Sequence, residues 1–163
     1  MDAILARLQR LEDIEAIRHL KARYLHACDR KQIGVIRDCF APGPVSIDYG
    51  AIGSFSNRED FLQVYQEKAC HPEVIDIHHG HNEQIEWLSL TDATATFDLF
   101  FYQIDTRSGM LVQLGGYYED AFHKQDGQWK IIATKFIVTS TLVNSVGNGN
   151  VTPVFQGVAP PPI

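Results

Sequence analysis

Residues 93–124 read ATATFDLFFYQIDTRSGMLVQLGGYYEDAFHK, two long β-branched and aromatic runs joined by the turn residues Arg107-Ser108-Gly109. Within the first run Phe97, Leu99, Phe101 and Gln103 share one face at a spacing of two, the mark of a strand with a buried side. Similar segments flank the pair: Val74–Leu88 before it, across Leu90-Thr91-Asp92, and Gln128–Thr139 after it, across Asp126-Gly127. Short connections between long strands predict an antiparallel meander. Gly115-Gly116 inside the third strand predicts a bend or bulge, which a strongly curved sheet requires.

The N-terminal half has a different period. From residue 2 to 29 apolar side chains recur at helical spacing (Ile4, Leu8 and Leu11, then Ile14, Ile17, Leu20, Tyr24 and Cys28), predicting a long helix with a break near Glu12-Asp13. Ile17, Leu20, Tyr24 and Cys28 form one stripe, and Asp29 stands at the helix end, where the chain can turn it inward. A second short helix, Gln32 to Phe40, stops at Ala41-Pro42-Gly43-Pro44. Val45, Ile47 and Tyr49 alternate with Ser46 and Asp48 as a strand, which puts Tyr49 on a buried face. Ser56-Asn57-Arg58-Glu59 fits a capping box and predicts a helix to about Cys70, with Phe61, Leu62, Val64 and Tyr65 as its apolar positions. Helices followed by strands define an α+β domain in which a curved antiparallel sheet wraps around N-terminal helices and encloses a cavity. The expected single domain covers residues 1–143, with 144–163 an extension packing on it or on a neighbouring subunit.

Composition narrows the partners. The 163 residues are 45% hydrophobic, enough for one real core. A net charge of -6 without a basic cluster argues against nucleic acid and anionic membranes, both of which need Lys/Arg-lined surfaces. No apolar run approaches the roughly 20 residues that span a bilayer, and the amphipathic N-terminus lacks a leader's apolar core. Cys28, Cys39 and Cys70 form no CxxC pair and leave an odd thiol, as expected of a reduced, cytoplasmic protein. Neither a GxSxG elbow nor a phosphate-binding glycine loop occurs, so a nucleophilic serine and a nucleotide cofactor are not expected.

Four of the seven histidines lie between His71 and His81. Strand alternation puts His78 on one face with Asp76 and Gly80, and His79 and His81 on the other with Ile77. Three readings stay open. His78 points into the cavity and meets Asp29 as a proton-transfer dyad; His79 and His81 form an HxH metal pair awaiting a third ligand; or all are ordinary hydrogen-bonded histidines. Tyr24 and Tyr49 are either core aromatics or hydroxyl donors to the same cavity. Glu119, Asp120 and His123 read as exposed strand-end residues and Asp126 as a turn former.

Over about residues 12–140 the chain resembles the SnoaL-like members of the nuclear-transport-factor-2-like superfamily. That group includes scytalone dehydratase, hexachlorocyclohexane dehydrochlorinase and bile-acid 7α-dehydratase. The resemblance rests on Ile14-Glu15-Ala16-Ile17, on Tyr24 and Asp29 five residues apart, and on His78, Gly80 and His81. Gly115-Gly116, Asp126-Gly127-Gln128-Trp129 and the Ile47-Asp48-Tyr49 strand also match. It implies a cone-shaped, cystatin-like α+β barrel, a homotrimer, and catalysis without cofactor or metal. By the same resemblance Tyr24 is a catalytic tyrosine, Asp29 an orienting aspartate and His78 a general base. Gln103 and Val138 depart from the bile-acid enzyme's pattern, where an aspartate and an arginine stand, and imply a different substrate.

The expected activity is a lyase of the dehydratase type acting on a hydrophobic ring compound, steroid-, polyketide- or aromatic-like. Tyr49, Phe101, Gln103 and Val138 are its expected substrate contacts. The alternatives are isomerisation or cyclisation in the same pocket, or a non-catalytic role like that of the small subunits of ring-hydroxylating dioxygenases. Exposed Phe100 and Tyr102 on the convex sheet face favour a homo-oligomer.

Overall fold

The computed structural model describes residues 2–146. It opens with α1 (Asp2–Asp29), a helix of 28 residues without the expected break. Asp13 explains the continuity: its carboxylate accepts from Lys124 Nζ at 2.7 Å and from the Trp129 indole at 2.9 Å, so the polar mid-helix position is tied to the sheet. Burial pushes the Asp13 pKa up, but these hydrogen bonds outweigh it and hold the group below its ordinary value. Ile17, Leu20, Tyr24 and Cys28 are buried as one stripe, whereas Ile4, Leu8 and Leu11, at the same spacing nearer the N-terminus, are exposed.

There follow α2 (Ile33–Cys39), β1 (Pro44–Asp48), a single 3-10 turn (Gly50–Ile52), β2 (Ser54–Asn57) and α3 (Arg58–Ala69). The meander is β3 (Val74–Trp87), β4 (Asp92–Asp105), β5 (Met110–Gln125) and β6 (Gln128–Ser145). The cap of α3 falls one residue later than expected. Asn57 accepts from the Asp60 amide at 2.9 Å, Ser56 belongs to β2, and Glu59 is drawn to Arg37 at 3.0 Å instead of back to the cap.

The strands form one curved, unclosed sheet in the order β2-β1-β6-β5-β4-β3, so the expected barrel stays open between β2 and β3. The meander is antiparallel throughout, but β1 joins β6 in parallel, Ser46 opposite Ala133. Between these two strands the chain runs through β2, α3 and the first three strands of the meander, and that long connection is what parallel pairing needs. Strand β6 runs two residues past the expected boundary at 143, with Ser145 paired to Met110. Residues 147–163 of the expected extension lie outside the described residues. Among the described residues no helix is long and apolar enough to cross a membrane.

Phe97, Leu99, Tyr118, Phe122 and Ile131 on the concave face pack with the α1 stripe, while Phe100 on the convex face is exposed. Asp120 is a correction. It is buried, not a solvent-facing strand end, because it alternates in step with Tyr118 and Phe122. Its Oδ2 lies 2.8 Å from the equally buried Lys21 Nζ, at angles outside hydrogen-bond geometry, and that ammonium sits 3.3 Å from the Tyr118 ring centroid.

The expected bulge is present between Gly115 and Gly116. A Cβ on Gly116 would stand 2.3 Å from the Ile137 carbonyl oxygen and 2.7 Å from the Phe136 ring, so the close strand approach depends on a bare α-carbon. Gly116→Ala is therefore expected to destabilise by about 1–3 kcal/mol. Thermal denaturation should show a fall in Tm of about 2–4 °C per kcal/mol, and an unchanged Tm would refute the contact.

Candidate active site

Helix α1 delivers Asp29 as its last residue, and the turn after it is closed by the Gln32 amide to the Ala27 carbonyl at 2.9 Å, with Lys31 in the left-handed region at φ 57°. The reversal aims the Asp29 carboxylate at β3. There it accepts from the backbone N–H of His78, at 3.1 and 3.2 Å to its two oxygens, and approaches His78 Nδ1 at 2.6 Å. A carboxylate is an acceptor, so this geometry places the proton of a neutral imidazole on Nδ1 and leaves Nε2 with its lone pair free. Nε2 has no protein hydrogen bond among the described residues. Phe101, opposite His78 in the β3–β4 register, packs its ring 4.6 Å from the imidazole at 51°.

In the cavity that His78 lines, Tyr24 and Tyr49 bring their hydroxyls within 2.7 Å of each other. Burial pushes both phenols well above the usual tyrosine range, so they are hydrogen-bond donors rather than bases near neutral pH. One hydroxyl proton is used between them; the other is available to a cavity ligand in competition with the buried Thr134 hydroxyl beside Tyr49 and the Cys28 thiol beside Tyr24. Tyr49 lies just past β1, at the head of the 3-10 turn, rather than within the strand.

Tyr24, Tyr49, His78, Phe101 and Gln103 line a single cavity of about 360 Å³, completed by aromatic side chains including Tyr118 and Phe136. Asp29 supports His78 from outside that lining. Val138 does not take part: it is 52% exposed, and Phe136 is the β6 residue that reaches the cavity. Val138 keeps strand parity with Phe136, in unbroken register opposite Gly116 and Tyr118, but it lies further along β6, where the strand is exposed. His79 and His81 are exposed on the other face, and no group of three His, Cys, Asp or Glu residues converges to hold a metal among the described residues.

Sequence reasoning missed the polar end of the cavity. Asp76, two residues before His78, accepts from Gln103 Nε2 at 2.8 Å and pairs with the Lys31 ammonium, both members of that ion pair being buried. The available signal was parity, since Asp76 shares the inward face with His78. Cys28 also lines the cavity, where burial pushes its thiol pKa up and away from reactivity.

Among solved structures, the chain is similar to a Novosphingobium aromaticivorans protein provisionally named a scytalone dehydratase. The TM-score is 0.75 at 19% identity, over 93% of this chain and 95% of that one. It is similar also to the hexachlorocyclohexane dehydrochlorinase LinA-type3 of Novosphingobium barchaimii, with TM-score 0.77 at 20% identity over 90% and 99%. A type 2 LinA dehydrochlorinase gives 0.79 at 19% identity over 91% and 99%. At these identities the likeness is one of fold. The family model of the SnoaL-like domain matches residues 9–135, most of the chain, and with the helices-then-open-sheet architecture it makes this protein a member of the SnoaL-like domain family.

Proposed function

We propose that the protein is a cofactor-independent lyase of the dehydratase type, acting on a compact hydrophobic ring compound. The observation that carries this reading is the 2.6 Å contact between His78 Nδ1 and Asp29 in the wall of an aromatic-lined cavity, with the Tyr24–Tyr49 hydroxyl pair in the same cavity. His78 Nε2 removes the proton from the carbon next to a carbonyl, and the C–H electron pair moves into an enolate. The second hydroxyl proton of the tyrosine pair hydrogen-bonds the enolate oxygen. The enolate electrons then form the C=C bond as the β-hydroxyl leaves, taking the proton held on the imidazolium and departing as water. Asp29 keeps the ring in the productive tautomer and offsets the transient charge. A cavity of about 360 Å³ lies near the lower end for ligand sites, which suits a few fused rings.

Cyclic β-hydroxyketones incubated in D2O test the proposal. The expected result is growth of enone absorbance with loss of water. Deuterium in recovered substrate without enone would transfer the same base to an isomerisation. Neither signal across a panel of ring sizes would reject the reading.

A further inference from the structure

The dyad and the tyrosine pair leave the Asp76–Lys31–Gln103 group without a part in the chemistry, although Asp76 and Gln103 line the same cavity. The Lys31 side chain has 0% exposure and that of Asp76 4%. Buried this deeply, a charged pair needs a structural or functional reason, because desolvation offsets most of its attraction. Its geometry supplies one. Paired with the ammonium through one oxygen, the Asp76 carboxylate turns its other oxygen to Gln103 Nε2 at 2.8 Å. A carboxylate accepts on all its lone pairs, so the Gln103 amide must present its N–H side there, and a flip would set oxygen against oxygen. The carbonyl oxygen Oε1 is therefore the end left over, with no protein hydrogen bond among the described residues.

We infer that Gln103 Oε1 is a fixed hydrogen-bond acceptor for a hydroxyl on the substrate ring, so that the substrate class is a hydroxylated ring compound with a second oxygen function at the tyrosine pair. The inference rests on the cavity being the reaction site proposed above. Asp76 pairs with Gln103 across β3 and β4 just as His78 pairs with Phe101, which makes Gln103 the diagonal neighbour of the base. Such neighbours stand about 7–8 Å apart, a gap that a fused ring spans. The hydroxyl held here is one the substrate keeps. Oε1 carries no proton to give a leaving group, whereas the tyrosine pair and the protonated His78 do. Asp76 and Lys31 are positioning residues, acting through the amide.

The test is the binding of two probes of nearly equal shape, 2-naphthol and 2-methylnaphthalene, to wild type, Gln103→Met and His78→Ala. The ratio of the two dissociation constants should shift against 2-naphthol by about five- to tenfold in Gln103→Met, the scale of one lost neutral hydrogen bond. An unchanged ratio would overturn the inference, since the hydroxyl would then be held by His78 or the tyrosines. His78→Ala should keep the wild-type ratio, and loss of discrimination there would overturn it equally. Loss of turnover in His78→Ala bears on the dyad alone, so the two readings fail separately. Should Gln103→Met not fold, wild-type protein labelled with carbon-13 at glutamine Cδ decides the matter: the Gln103 resonance should move with 2-naphthol and stay with 2-methylnaphthalene. Equal response to both would reject the assignment.

Discussion

His78→Ala is expected to lower turnover of a dehydratable cyclic keto-alcohol by about 100- to 10,000-fold, the range a positioned general base contributes. The loss should fall on kcat, with a modest change in KM, because in the proposed mechanism the imidazole works on the reacting proton while the aromatic walls and Gln103 hold the ring. The variant suits this measurement because the backbone N–H of residue 78 still donates to Asp29, at 3.1 Å in the wild type, so the link between α1 and β3 survives loss of the ring. A variant keeping more than half of wild-type turnover would remove His78 as the base.

Asp29→Asn separates orientation from proton transfer. Asparagine carries one acceptor oxygen, where the carboxylate now serves both the His78 backbone N–H and Nδ1. If the asparagine oxygen keeps the backbone bond, its amide nitrogen can meet the ring. Nδ1 then becomes the acceptor, the imidazole proton moves to Nε2, and the base is lost. The expected outcome is a kcat between those of wild type and His78→Ala. Restoration to the wild-type rate would mean that the carboxylate charge and the tautomer are irrelevant to the step.

The site was legible in sequence to different depths, for physical reasons. Strand alternation gave His78 its face and separated it from His79 and His81, and the helical stripe through Tyr24 and Cys28 put Asp29 at the right helix end. These are local regularities, and they extend to the four meander strands, whose turn residues are explicit. Lys21 and Lys31 were illegible because lysine is ordinarily exposed, and what buries them are Asp120 and Asp76, partners far off in the chain. Val138 has the right parity, in unbroken register with Phe136, but alternation says only which face a residue takes and not how far along a strand the cavity extends, and Val138 lies past its edge. The Asn57 cap was missed by one position because Ser56 and Asn57 are both good caps, and β2 claims the serine.

Asp76→Asn should destabilise the fold by about 3–5 kcal/mol, because it strands the Lys31 ammonium where no water reaches it. Against a total stability of about 5–15 kcal/mol this is a large fraction. Lys31→Met should cost a similar amount by leaving the carboxylate with Gln103 as its one side-chain partner. Lys31 is also a non-glycine residue at φ 57°, a conformation that costs roughly 1–2 kcal/mol, so the backbone gives no reason for lysine there and the ammonium must. The double variant Lys31→Met/Asp76→Asn removes both charges while keeping an oxygen for Gln103 Nε2, so its loss should be smaller than that of either single change. Urea denaturation of the four proteins measures this, and additive losses would show that the two side chains are not coupled. If the double variant is nearly as stable as wild type, the charges are dispensable to the fold. Their consequence then lies in holding Asp76 as an acceptor on every lone pair, because asparagine at 76 permits the Gln103 amide to flip and the carboxylate does not.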